Sequence, residues 1–219
     1  MSRVFVTGTD TGVGKTQVAG ALLSLLGDAG LRPWAFKPYE TGVRGEPLDA
    51  AWLRSCAGGW QSLEQICPHR FRTPVAPAVA AAREGKKPSW KQTLQTFRAF
   101  QGPGVVEGAG GLRVPLDAAH DVVDLAAALK LEVLLVARAG LGTLNHVALS
   151  LDLLRARKLT VRAVVLIKST RARDVSERDN PAWLRTRHRL AVLGPLPFIA
   201  SKGRRHAALK KLLGSLLTH

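Results

Sequence analysis

The segment Gly8-Thr9-Asp10-Thr11-Gly12-Val13-Gly14-Lys15-Thr16 follows the apolar run Val4-Phe5-Val6 and precedes a helical pattern through Gln17-Val18-Ala19-Gly20-Ala21-Leu22-Leu23. It reads as a buried strand entering a glycine-rich loop that opens a helix, the start of a layered α/β fold. Such a loop turns successive backbone N–H groups inward at a helix N-terminus, where the helix dipole also favours negative charge. Lys15 adds a point charge for terminal phosphates, and the Thr16 hydroxyl stands where a phosphate-bound Mg²⁺ takes an oxygen ligand. The expected nucleotide-binding set in this segment is Gly12, Val13, Gly14, Lys15, Thr16 and Gln17. Five residues separate Gly8 from Gly14, one more than the usual phosphate-loop pattern has, and Thr9 stands where the first glycine belongs. The loop is a variant, and the variant narrows the family.

The rest of the chain extends the same pattern. Short apolar runs at 4–7, 34–37, 104–107, 133–137, 161–167 and 191–195 read as strands. Helices are expected after Lys15, Pro47, Ser89, Val122, Thr143, Asn180 and Gly203, and the leucine-rich stretch 144–154 reads as a largely buried helix. This alternation predicts a mostly parallel sheet with helices on both faces, and residues 1–219 form one expected domain. The proline-rich stretch 68–77 reads as a loop over the site. No apolar run reaches the roughly 20 residues that span a bilayer, and the chain opens on a strand with no basic lead-in to an apolar stretch. A cytoplasmic location follows as an expectation. The two cysteines, Cys56 and Cys67, lack metal-site or disulfide spacing and are expected to be reduced thiols.

The formal charge is +16, and half of the 32 Lys and Arg residues lie between Arg155 and Lys211. They are scattered rather than interleaved with stacking aromatics, the pattern of solvated helix faces and loops. Non-specific polyanion affinity is compatible with this charge; a dedicated nucleic-acid site is not indicated.

Three further segments end predicted strands, on the same sheet edge as the phosphate loop. In Phe36-Lys37-Pro38-Tyr39-Glu40-Thr41-Gly42, a lysine closes a buried strand, which is costly unless its ammonium emerges beside an anion. In Val105-Val106-Glu107-Gly108-Ala109-Gly110-Gly111, a carboxylate at the end of an apolar strand can serve a nucleotide-bound Mg²⁺ opposite the loop. In Arg138-Ala139-Gly140-Leu141-Gly142-Thr143-Leu144-Asn145-His146, Asn145 falls in the first turn of a helix, where it can cap locally or bind a ligand. Asp49, at the start of another helix, is on its own an ordinary first-turn acid.

Taken together, these residues resemble the dethiobiotin synthetase family in order and spacing. The resemblance rests on the extra-residue loop, Lys37-Pro38 with Thr41-Gly42, Asp49-Ala50, Val106-Glu107-Gly108-Ala109-Gly110-Gly111, and Gly142-Thr143-Leu144-Asn145-His146. It also takes in Pro74, Pro77 and Arg83-Glu84-Gly85, and covers about 150 residues.

The resemblance implies a P-loop ligase that converts 7,8-diaminononanoate, CO2 and ATP into dethiobiotin, ADP and phosphate. A carbamate forms on one amine and attacks the γ-phosphorus, and the second amine then closes the cyclic urea from a carbamic-phosphoric mixed anhydride. It further implies catalytic roles for Lys37, Lys15 and Thr11, and Mg²⁺ ligation by Thr16, Asp49 and Glu107, which reverses the first reading of Asp49. Nucleotide contacts would extend to Glu107, Gly108, Ala109, Gly110, Pro197, Phe198 and Ile199. Substrate contacts would come from Thr11, Lys37, Thr41, Gly110, Leu141 and Asn145, the last two reached across a homodimer interface.

The chain departs from the family at the adenine end. Ile167-Lys168 replace the asparagine that usually reads the base, and Lys202, Arg204 and Arg205 follow where an acid is common. Isoleucine offers none of the paired donor and acceptor of an amide. Two other readings compete: an amidotransferase-like synthase, disfavoured by the lack of a glutaminase Cys/His pair, and a regulatory P-loop switch, supported only by charge.

Overall fold

The computed structural model describes residues 3–216. In chain order the elements are β1 (Arg3–Gly8), α1 (Lys15–Asp28), β2 (Trp34–Phe36), β3 (Tyr39–Glu40), α2 (Leu48–Cys56), α3 (Leu63–Ile66), β4 (His69–Arg70), α4 (Pro77–Arg83), α5 (Trp90–Ala99), β5 (Gly104–Gly111), α6 (Val122–Leu129), β6 (Glu132–Arg138), α7 (Thr143–Ala156), β7 (Val161–Ile167), α8 (Ser176–His188), β8 (Ala191–Leu196) and α9 (Lys202–Leu213). Six strands form one sheet in the order β2-β5-β1-β6-β7-β8, every neighbouring pair parallel. The short strands β3 and β4 pair separately, also in parallel.

Alternating side chains divide the core between the sheet's faces. Val4, Val6, Val105, Leu134, Val136 and Val165 pack with α1, α2 and α9, whereas Phe5, Val106, Val133 and Val164 face α5 to α8. Both faces are covered, so the strands read as continuous apolar runs rather than as alternating ones. Because the strands are parallel, their carboxyl ends share one edge, where ligands gather in open α/β sheets.

The expected architecture is present, with corrections to its parts. β5 runs to Gly111, past the expected end at Glu107, and β2 stops at Phe36, which leaves Lys37 just beyond its strand. α8 begins at Ser176 rather than after Asn180: Glu177 and Asp179 occupy its first turn, and Pro181 lies inside the helix. The Asn180 side chain is committed instead to the Ala139 carbonyl at 2.9 Å. α3, α4, β3 and β4 leave no signal in the sequence, because runs of two to seven residues carry too little periodicity. α7 is not largely buried. Thr143, Val147, Leu151 and Leu154 face the core, while Leu149 is 62% exposed.

Both cysteines are free. Several basic residues of the C-terminal third are held in ion pairs, among them Lys168 with Glu177, Arg162 with Glu132, and Lys210 with Asp28. No helix among the described residues is long and apolar enough to cross a membrane.

Candidate active site

The loop between β1 and α1 owes its shape to glycines at both ends. A Cβ on Gly8 would lie 2.8 Å from the Val13 side chain and 3.1 Å from Lys15 Cδ. Gly14, the N-cap of α1, has φ 102° and faces Ile167 Cδ1 at 2.8 Å from the position of a Cβ. Only glycine meets both demands, the left-handed backbone and the close contact. The Lys15 ammonium folds back to the Asp10 carbonyl at 2.7 Å. Burial, opposed by Glu107 and reinforced by Lys37, lowers its pKa from 10.5 to about 8.

Across from this loop, three elements deliver a charged cluster. Lys37 Nζ donates to Glu107 Oε1 at 2.8 Å and lies 3.3 Å from Asp49 Oδ2. Thr16 Oγ1 donates to the same Glu107 oxygen at 2.8 Å. Glu107 Oε2 is buried with no hydrogen-bond partner. Burial opposes the Lys37 charge, but Glu107 and Asp49 outweigh it and hold the pKa above its ordinary value. Lys37 is therefore held as a cation at neutral pH.

A pocket of about 650 Å³ opens over this cluster. It brings together the expected Thr11, Gly12, Gly14, Lys15, Thr16, Gln17, Lys37, Thr41, Asp49, Glu107, Ala109 and Gly110. Residues 74–77 of the proline-rich stretch form part of its wall. A smaller pocket of about 100 Å³ continues from it, bounded by Val13, Ile167, Lys168 and the segment Pro197, Phe198 and Ile199. Gly12, Gly14, Gln17 and Arg205 line both pockets, so a phosphate chain in the first can continue into a base in the second.

Three expected residues stand elsewhere. Gly108 is buried and faces the core: a Cβ there would lie 2.9 Å from Val122 Cγ1 and 3.3 Å from the Phe5 ring. Neither pocket wall includes it. Leu141 is 88% exposed and lines a separate pocket with Arg138, Asp174 and Val175, and Asn145 is exposed on the first turn of α7. Within one chain, neither reaches the phosphate-loop pocket.

Of the three basic residues that replace the usual acid, only Arg205 reaches the pockets. Its guanidinium donates to the carbonyls of Ile199 and Ala200 at 2.9 and 3.3 Å. Lys202 Nζ instead lies over the Trp52 ring at 3.8 Å from its centroid, and Arg204 is exposed. The reading also missed Glu40, which lines the larger pocket although it follows a buried tyrosine in a two-residue strand. An acid lying between Lys37 and Thr41 was the available signal.

The cluster suits a hard divalent cation. Among the described residues no group of three or more His, Cys, Asp or Glu can hold a metal. Two carboxylates, one of them with an orphaned oxygen, and one threonine hydroxyl are nonetheless the oxygen donors Mg²⁺ takes when nucleotide phosphates and water complete its shell.

The chain is similar to several known proteins. Residues 2–205 match the model of a family described as an AAA domain. An ATP-dependent dethiobiotin synthetase of Anaeromyxobacter dehalogenans (strain 2CP-C) is 48% identical over 211 residues, 93% of this chain and 95% of the relative. The corresponding protein of Aquifex aeolicus is 40% identical over 182 residues, 82% and 81% of the two chains. That of Bacillus cereus (strain B4264) is 36% identical over 211 residues, 92% and 86% of the two chains. Among solved structures, a Borrelia burgdorferi B31 chain described as a plasmid partition protein, bound to AMPPNP, superposes with a TM-score of 0.58 at 12% identity, covering 99% of this chain and 98% of its own. That likeness is one of fold alone.

Proposed function

The chain belongs to the dethiobiotin synthetase family, and from that premise we propose how its residues carry out the ATP-dependent ligation of biotin biosynthesis. The observation that carries the proposal is the cluster Lys37, Glu107, Thr16 and Asp49, assembled from separate elements beside the phosphate loop.

The substrates are 7,8-diaminononanoate, CO2 and ATP. A carbamate on one substrate amine attacks the γ-phosphorus; ADP leaves, and the second amine displaces phosphate to close the ring. The nucleophile and the triphosphate are both anionic, so catalysis needs cations placed between them. Lys37 supplies one of them. Its carboxylate neighbours favour the protonated form, so it serves as an electrostatic clamp rather than a proton donor. Lys15 supplies the second at the phosphate loop. Thr16, Asp49 and Glu107 would hold Mg²⁺, which when bound neutralises phosphate charge. Thr11 and Thr41 offer hydroxyls to the diamine, and Thr11 Oγ1 lies close to Gly110. Positioning and charge neutralisation then account for most of the rate.

Leu141 and Val175, exposed apolar residues that line one pocket before α7, and Leu149, exposed midway along it, support a homodimer in which this helix start completes the neighbouring chain's site. The shared sheet and the cores on its two faces support reading 1–219 as one domain. A role in ATP-consuming biosynthesis supports a cytoplasmic location.

The test is phosphate release from Mg·ATP in the presence of bicarbonate and the diamine, with Lys37→Ala as control. Turnover that does not depend on the diamine, or that survives loss of Lys37, would overturn the proposal.

A further inference from the structure

We propose that Glu40 is a positioning residue for the metal end of the site: it fixes the first turn of α2, and through that turn the direction of the Asp49 carboxylate. α2 lacks a side-chain cap of its own. Its N-cap is Pro47, whose side chain offers no acceptor to the unpaired N–H groups of the first turn.

The acceptor comes instead from β3. Glu40 Oε1 takes the Asp49 N–H at 3.1 Å, and Oε2 takes the Ala50 N–H at 3.0 Å. Both oxygens of one buried carboxylate are thus committed to consecutive amides of a helix start, where the dipole favours negative charge. The carboxylate is itself anchored. Pairing of β3 with β4 and the bond from Phe71 N–H to the Glu40 carbonyl at 2.9 Å fix its backbone.

Asp49 needs this help because its side chain is 46% exposed, with little packing to orient it. Lys37 draws the carboxylate from one side, and the backbone amide from which that side chain extends is held by Glu40. The result is an Asp49 Oδ2 that lies 3.3 Å from Lys37 Nζ, on the same side as Glu107. Glu40 touches no reacting atom in this scheme; it acts through Asp49. The inference rests on the reading of Asp49 as a metal ligand.

The test is Mn²⁺ binding, followed by electron paramagnetic resonance on the full-length protein with AMPPNP. It compares wild type, Glu40→Gln, Glu40→Ala, Asp49→Asn and the Glu40→Ala/Asp49→Asn double variant. Loss of an outer-shell partner typically weakens metal affinity about 10- to 100-fold. Glu40→Ala is expected to fall in that range and Glu40→Gln, which keeps one acceptor oxygen, near its lower end. Metal-free AMPPNP affinity should be unchanged. In the Asp49→Asn background, removing Glu40 should add no further loss. If the alanine variant does not fold, the glutamine variant carries the comparison. Wild-type Mn²⁺ affinity in Asp49→Asn would overturn the ligand reading itself. A loss in Asp49→Asn with none in the Glu40 variants, or losses that add, would overturn the role of Glu40 alone.

Discussion

Lys37 Nζ lies 2.8 Å from Glu107 Oε1, and the two side chains are 6% and 1% exposed. A buried pair of this kind is tolerated only because each charge answers the other. The second Glu107 oxygen has no partner, so the pair is complete as an ion pair and incomplete as a hydrogen-bonding unit. That combination suits a site which receives a further cation.

Removing Lys37 should therefore do two separable things. Lys37→Ala leaves Glu107 buried without its counter-ion and should lower unfolding free energy by about 3 kcal/mol in EDTA. Urea denaturation measures this loss, and Mg·AMPPNP should recover part of it. Turnover should fall at least about 100-fold, as expected when a cation that stabilises transition-state charge is lost. Pairing Lys37→Met with Glu107→Gln should restore stability but not activity. If the double variant is no more stable than Lys37→Met alone, the pair is not energetically coupled.

Base selectivity should be loose. The small pocket is bounded by Ile167, whose side chain packs on Gly14 and can neither donate nor accept. Lys168 is tied to Glu177 at 2.7 Å, and Arg205 to the Ile199 and Ala200 carbonyls. Among the described residues that line this pocket, Gln17 carries the one side-chain amide. GTP and CTP should support kcat/KM within about tenfold of ATP, the lower end of what an apolar pocket discriminates. Ile167→Asn should widen the gap in favour of ATP. Steady-state kinetics decide it, and a preference for ATP of several hundredfold in the wild type would rule the idea out.

His69 should make the fold acid-sensitive. Burial lowers the pKa of its imidazole below 6.5, and its Nε2 is 3.0 Å from Thr93 Oγ1. Below pH 6.5 the unfolded chain gains a proton that the folded protein does not. This contribution is complete above pH 6.5 and is lost as pH falls through 6.5 towards the folded pKa, at up to about 1.4 kcal/mol per pH unit. Denaturation curves between pH 5 and 7 should show a shallower slope for His69→Gln, although His188 and His206, also lowered, keep part of it. An unchanged slope would mean that His69 titrates alike in both states.

These residues mark how far the sequence could be read. The β1 loop and Glu107 were legible because a strand end, a glycine run and a functional side chain are contiguous in the chain. Gly108 shares that signal, yet it faces Val122 and Phe5: adjacent strand residues point to opposite faces, and the motif does not say which one faces the site. The Glu40 contact with α2 joins residues nine and ten apart through a strand too short to register as one. Arg205 was visible as a charge out of place, but its reach to the pocket depends on the packing of α9 against α1, which no local pattern encodes.

The distance of Leu141 and Asn145 from the phosphate-loop pocket within one chain yields the sharpest test of assembly. If α7 of one chain completes its neighbour's site, Lys37→Ala and Asn145→Ala damage opposite halves of the same composite site. A twofold-symmetric dimer with one chain of each kind contains one site carrying both substitutions and one carrying neither. Random reassociation of two inactive variants should then recover about a quarter of wild-type activity, since half the dimers are mixed and each has one intact site. Mixing the purified variants under conditions that allow exchange, then assaying phosphate release, measures the recovery. Activity no greater than the sum of the separate variants, in a preparation shown by mass to be mixed, would mean that each chain builds its site alone.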